Sequence, residues 1–254
     1  MQENALIDVR HVTKVYHVGT EGVHALRGAD LKIASGDICS IIGRSGSGKS
    51  TLLNVLAGLE QVTSGEIVIS GKHLERMTQS ELIVFRQRHI GFIFQSFNLM
   101  PYYTALENVA LPLSFRGMPK AERLKQAERM LELVGLETHM KHKPNELSGG
   151  QQQRVGIARA LVTDPEIVFA DEPTGNLDSG TSDEVMRVII NIAREHNKTL
   201  VMVTHDSHIA SFGDKVIHLL DGRITDITLN QHNQNYDTKQ DEPSVREAEV
   251  KLDA

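Results

Sequence analysis

The chain has 254 residues, 40% hydrophobic and 24% charged, with 20 glycines, 7 prolines and a formal net charge of −6. That is the make-up of one large or two small globular domains, and its negative balance lacks the positive field that sequence-independent nucleic-acid binding requires, so no nucleic-acid partner is expected. No apolar run approaches the roughly 18 to 20 residues of a membrane-spanning helix, the opening Met-Gln-Glu-Asn has no secretory pattern, and the single cysteine, Cys39, excludes an internal disulfide framework; the expected location is cytoplasmic.

Along the chain, β-branched and apolar runs alternate with segments of helical period. Strands are expected at 5–11, 23–33, 37–42, 66–70, 90–94, 166–170, 199–204 and 215–220, with Asp221-Gly222 as a hairpin turn into a strand at 223–227. Helices are expected at 49–59, 120–134, 149–162, 182–195 and 207–211. The early strands predict antiparallel pairing, and the later alternation of strand and helix predicts parallel pairing through right-handed crossovers. Residues 96–160 read as a mostly helical subdomain inserted into an α/β domain. The last residues, 231–254, carry six acids against three bases and few large apolar groups, which predicts a disordered acidic tail.

Residues 43–50 read GRSGSGKS, which fits G-x-x-x-x-G-K-[ST] between an expected strand and an expected helix. Gly43, Gly46 and Gly48 let successive backbone N–H groups along Arg44, Ser45 and Ser47 turn inward around phosphate oxygens, and the helix N-terminus running into Thr51 adds partial positive charge. Lys49 supplies a point charge for β and γ phosphates, and Ser50 a hydroxyl for Mg²⁺. A second strand, Ile167-Val168-Phe169-Ala170, ends in Asp171-Glu172. Two acids at the C-terminal edge of a buried strand stand where α/β sheets gather their ligands, Asp171 suited to hold the metal and Glu172 to take a proton from water.

Residues 147–154 read LSGGQQQR. Ser148 followed three residues later by Gln151 is a capping box opening an apolar-periodic helix, so Gly149, Gly150 and a helix N-terminus form a second anion site. With the phosphate loop, this motif resembles the ATP-binding subunits of ABC transporters, and the resemblance covers about residues 5–228. It implies a P-loop NTPase fold of the ABC nucleotide-binding type, with an antiparallel β subdomain and an inserted helical subdomain, binding ATP and Mg²⁺. It also implies that Tyr16 stacks on adenine, that Gln95 reaches Mg²⁺ or water, that the loop ending at Asp178 touches a partner subunit, and that His205 contacts the γ-phosphate. A packing role for Tyr16 is the alternative.

The stretches IGFIFQSFNLMP, TALENVALPL and ADEPTGNLDSGTSDEV are similar to the subgroup of lipoprotein-releasing, macrolide-export, antimicrobial-peptide-resistance and cell-division ATPases. What that implies is an ATPase powering a bacterial export or mechanotransmission complex, peripheral on the inner face of the cell membrane. Its partners would be a second ATPase subunit, whose signature closes the site, and a separately encoded membrane subunit with an extracytoplasmic domain. A regulatory ATPase that transports nothing, as in cell-division members, is the rival reading. The aromatic and Met-rich run Phe97 to Tyr103 is read either as a partner-docking loop or as core. The pairs His205/His208 and His139/His142 lack a third ligand at zinc spacing, so no zinc site is expected.

Overall fold

The computed structural model describes residues 5–19 and 21–230; the acidic tail expected at 231–254 lies outside them. The first strands, β1 (Ile7–Val18) and β2 (Glu21–Ile33), form an antiparallel pair. They join β4 (Ser64–Ile69) and β5 (Lys72–His73) in a four-stranded antiparallel sheet of order β2-β1-β4-β5. The expected first strand stops at His11 because the period-2 pattern breaks there. His11 has φ 49°, the register slips between Val9 and Val12, and the strand then resumes and carries Tyr16.

The second sheet has six strands in the order β10-β9-β3-β8-β7-β6. β3 (Ile38–Ile42), β6 (Ile90–Ile93), β7 (Ile167–Asp171), β8 (Thr199–Thr204) and β9 (Lys215–Leu220) are parallel, and β10 (Arg223–Leu229) closes one edge as an antiparallel hairpin strand. Around it lie α1 (Lys49–Leu56), α2 (Gln79–His89), α3 (Ala105–Phe115), α4 (Lys120–Leu133), α5 (Gly149–Leu161), α6 (Ser179–Glu195) and the single turn α7 (Ser207–Ala210). Between β6 and β7 the described chain holds helices and no strand.

The parallel strands explain why they read as unbroken apolar runs: both faces are covered. In β7, Ile167 and Phe169 join one apolar core with α1, α2 and the antiparallel sheet. Val168 and Ala170 point the other way, into a core shared with α3, α4, α5 and α6. Phe169 is fully buried in the first core, and its loss would cost about 3–5 kcal/mol for Phe→Ala.

Three helices depart from expectation: α3 falls in the segment 96–160 expected to be mostly helical but had no expected bounds of its own, and the other two are α2 and α1. α2 was not anticipated because Leu82, Ile83, Val84 and Phe85 are consecutive and show no helical period; only Leu82 and Phe85 are buried, while Ile83 and Val84 face solvent. Its start is nevertheless written in a capping box, Thr78 with Glu81. α1 ends at Leu56 rather than running to residue 59, since Gly58 takes φ 62° and the chain turns away.

Candidate functional site

The register of the parallel sheet assembles the site. Ile42 pairs with Thr204 and Asp171 with Val203, with β8 lying between β3 and β7. The chain therefore leaves the same sheet edge at Gly43, Glu172 and His205.

The phosphate loop follows β3. Gly46 and Gly48 have φ 79° and 100°, left-handed values that glycine adopts without strain. Gly43 is needed for a different reason: a Cβ there would stand 2.2 Å from the Leu219 carbonyl oxygen of β9. Arg44, Ser45 and Gly46 are exposed at the tip, whereas Ser47 is buried and its hydroxyl has no hydrogen-bond partner. The Lys49 ammonium reaches back over the loop and donates to Gly43 O at 2.9 Å and Arg44 O at 3.1 Å. Lys49 is only 8% exposed, and among the described residues no carboxylate lies within ion-pair distance of it. A buried cation that donates to two carbonyls and makes no ion pair among the described residues, beside an orphaned hydroxyl and at a helix N-terminus, fits an anion such as a nucleotide phosphate.

Ser50 and Asp171 meet across the sheet edge, the Ser50 hydroxyl donating to Asp171 Oδ1 at 3.2 Å. Burial pushes the Asp171 carboxyl up; the Ser50 hydrogen bond and the nearby Lys49 charge oppose it, and neighbouring Glu172 reinforces it. A desolvated carboxylate beside a hydroxyl is an oxygen pair of the kind that a hard divalent cation takes, so these residues fit Mg²⁺.

Glu172 takes φ 44°, uncommon for a residue with a side chain. Its N–H donates to Val203 O at 3.0 Å and its carbonyl accepts from Gly175 N–H at 3.0 Å, which fixes the turn. The carboxylate thereby faces His205, with Oε1 3.0 Å from Nδ1. Gln95 comes in from the end of β6. A Cβ on Gly175 would lie 2.7 Å from Gln95 Nε2 and 3.1 Å from Glu172 Oε2, so glycine there lets the Gln95 amide and the Glu172 carboxylate share one small space. The Gln95 carbonyl in turn accepts from Asn176 Nδ2 at 2.9 Å.

The signature turn stands elsewhere. Ser148 N–H donates to Gln151 Oε1 at 2.9 Å and Gln151 N–H to Ser148 Oγ at 3.3 Å, the capping box read from sequence. Gly149 and Gly150 pack on Leu177 and Thr181, where a Cβ on Gly150 would stand 2.5 Å from Thr181 Cγ2. Asp178 caps α6, accepting from Thr181 N–H at 3.0 Å and Thr181 Oγ1 at 2.7 Å, and those bonds hold its carboxyl below the ordinary range. Within the chain the signature turn packs on the loop and helix that follow Glu172, whereas the phosphate loop meets β9 and Asp171.

Tyr16 lies half-buried on β1, its hydroxyl donating to Glu60 Oε2 at 2.5 Å, with Thr51 of α1 also in contact. Of the histidines, His139 and His142 lie ring to ring at 5.1 Å and His208 bonds Asp183 at 2.8 Å. Among the described residues, one His and carboxylate group comes within ligand spacing, Glu66, His73 and Glu75, and the Arg76 guanidinium already bonds both glutamates. Arg159 escaped the sequence reading: from α5 it donates to Phe97 O and Asn98 O, holding two consecutive residues at φ 58° and 49° just past Gln95.

Residues 26–175 match the ABC transporter family. The chain belongs to that family. This ABC cassette is 48% identical over 221 residues to the ABC transporter ATP-binding protein YtrE of Bacillus subtilis, covering 85% of this chain and 96% of that protein. It is 45% identical over 219 residues to the macrolide export ATP-binding/permease protein MacB of Aggregatibacter actinomycetemcomitans, covering 86% of this chain but 34% of MacB. Among solved structures, a dimeric post-hydrolysis state of the ATP-binding cassette MJ0796 bound to ADP and Pi, a protein of Methanocaldococcus jannaschii, superposes with a TM-score of 0.82 at 44% identity, covering 89% of this chain and 99% of that one. The cassette is an ABC ATPase, the ATP-binding subunit of a transporter. Among the described residues no helix is long and apolar enough to cross a membrane.

Proposed function

We propose that this ATPase acts as one of two cassettes that drive a separately encoded membrane subunit of a bacterial export or mechanotransmission complex. The observation that carries the catalytic half of the reading is the convergence of the Ser50–Asp171 and Glu172–His205 pairs at one sheet edge over the Lys49 loop. Lys49 and the loop N–H groups hold the β and γ phosphates of ATP. Ser50, Asp171 and the Gln95 amide would hold Mg²⁺, which supplies positive charge against the phosphate oxygens. Glu172 takes the proton of the attacking water, His205 contacts the γ-phosphate, and Tyr16 stacks on adenine.

The site is completed by a second copy, whose Ser148 turn closes on the phosphates. That reading is supported by the separation of signature and phosphate loop within one chain and by the dimeric state of MJ0796. The cassette spans 5–228, with 96–160 as the helical subdomain that faces the membrane partner. Export through a membrane partner is supported by the likeness to MacB, described as an export ATP-binding/permease protein; an extracytoplasmic domain on that partner is part of the proposal.

Reconstitution with the membrane protein encoded beside this chain tests the proposal. The expected result is ATPase activity stimulated by that partner and abolished by Lys49→Ala, with transport of cargo that needs ATP. A complex whose activity survives Lys49→Ala overturns the site assignment, and one that hydrolyses ATP under partner control without moving cargo overturns the export reading.

A further inference from the structure

The phenol of Tyr16 sits in a network that spans three segments. Its hydroxyl donates to Glu60 Oε2 at 2.5 Å, and the other Glu60 oxygen, Oε1, accepts from Asn54 Nδ2 of α1 at 3.0 Å. Lys14, two residues before Tyr16 on the same strand, brings its ammonium to 3.4 Å from Glu60 Oε2, donates to Gln61 O at 2.7 Å, and stands 4.9 Å from the centroid of the Tyr16 ring. Alternate strand residues share a face, which is why Lys14 and Tyr16 meet one carboxylate. Lys14 and Glu60 are 15% and 28% exposed at their side chains, so this polar group is partly shielded from water and its bonds hold their geometry better than surface pairs do.

We infer that Glu60 is a positioning residue for the nucleotide base: it fixes the Tyr16 ring against the helix that follows the phosphate loop, with Lys14 covering one face of the ring and the other left for adenine. The inference rests on the reading of Tyr16 as the base-stacking residue. An unanchored tyrosine at the end of a two-stranded ribbon would have to give up side-chain freedom each time a base stacked on it. Tying the hydroxyl to Glu60, and Glu60 to Asn54 on α1, removes most of that freedom beforehand and sets the ring at a fixed distance from the loop that holds the phosphates.

Calorimetric titration of the full chain with a non-hydrolysable ATP analogue, and separately with inorganic tripolyphosphate, tests this. Loss of one hydrogen bond of this kind is worth roughly fivefold in affinity. Glu60→Ala and Tyr16→Phe should each weaken the analogue by about that factor, the double variant should be no weaker than either single one, and tripolyphosphate affinity should be unchanged throughout. Glu60→Gln, which keeps an acceptor for the phenol, should restore most of the loss. Equal weakening of both ligands by Glu60→Ala would mean that the residue merely supports the phosphate loop, and the inference fails; it fails as well if Glu60→Ala binds the analogue normally. Tyr16→Ala separates the two levels. If that variant binds the analogue as tightly as the parent, the stacking role of Tyr16 is what has failed, whereas a weakened Tyr16→Ala beside a normal Glu60→Ala leaves stacking intact and removes Glu60 alone.

Discussion

Glu172 Oε1 and His205 Nδ1 stand 3.0 Å apart, joining the turn after β7 to the turn after β8. An ionised carboxylate only accepts, so Nδ1 carries the hydrogen of this bond, and Nε2 is left to face outward. His205 is 66% exposed and Glu172 21%, an arrangement in which the carboxylate proposed as the base is sheltered and its partner is open to the cleft. The left-handed backbone at Glu172 keeps this pairing, because an extended residue there would carry the carboxylate away from His205.

The two-copy site predicts complementation. Lys49→Ala disables the phosphate loop of one subunit, and Ser148→Arg disables the signature it offers to its neighbour. A mixed dimer then contains one site with both defects and one with neither, so partial ATPase activity should return when the two inactive proteins are exchanged. The structure adds a control: Ser148 Oγ caps α5, so Ser148→Arg should also cost about 1 kcal/mol and lower the melting temperature by roughly 2–4 °C. Exchanged mixtures that remain as inactive as either parent would contradict a site shared between subunits.

Much of this arrangement is legible in the sequence, and the exceptions have a common cause. β3, β7 and β8 were readable because strands covered on both faces must be continuously apolar, and the motif residues were readable because phosphate binding constrains residues close together in sequence. Glu60, Arg159 and the Gly175–Gln95 contact were not, since each acts on a group that only tertiary folding brings near: Glu60 lies 44 positions from Tyr16, and Arg159 lies 62 from Phe97. The second half of β1 was hidden by the bulge at His11, and α2 by an apolar quartet without helical period, although the Thr78–Glu81 box marked its start.

Glu75 predicts a pH dependence outside the site. Burial pushes its carboxyl up, but the Ile67 N–H and His73 together hold it below the ordinary value of 4.5. A carboxyl whose folded-state value is depressed stabilises the fold above its unfolded value, and that contribution is lost as pH falls through the folded one. Glu75→Gln should therefore lower the melting temperature near neutral pH, by an amount corresponding to about 1 kcal/mol. The difference from the parent should be fully present above 4.5, shrink as pH falls through the depressed folded-state value, and be lost below it. A gap that is constant with pH would mean that the carboxylate contributes shape rather than charge.

The run from Phe97 to Tyr103 divides between its two readings. Tyr102 is 85% exposed, while Leu99 packs on the core shared by the helices, and Asn108, itself fully buried, bonds Met100 and Tyr103 so that the loop is held in place. Tyr102→Ala should lower partner-stimulated ATPase activity and leave basal activity and melting temperature unchanged. Leu99→Ala should lower the melting temperature, by the cost of truncating a partly buried leucine, about 2 kcal/mol. Coupling intact in Tyr102→Ala would remove this loop as a docking surface.

Glu172→Gln tests the base, and the pairing with His205 makes the test clean. The glutamine oxygen still accepts from Nδ1–H, so His205, Ser50, Asp171 and Lys49 keep their places and nucleotide binding should persist. Only the proton acceptor is lost. General-base assistance is typically worth about 10² to 10⁴ in rate, so hydrolysis should fall by at least the lower figure. If closure depends on the γ-phosphate bridging the Lys49 loop of one copy and the Ser148 turn of another, a variant that binds ATP without cleaving it accumulates the closed pair. Light scattering should then show the mass doubling on addition of Mg-ATP and returning when nucleotide is removed. A nucleotide-bound variant that stays monomeric at micromolar concentration contradicts closure by ATP alone. Undiminished hydrolysis would remove Glu172 as the base and leave His205, with its outward Nε2, as the group that orients the water.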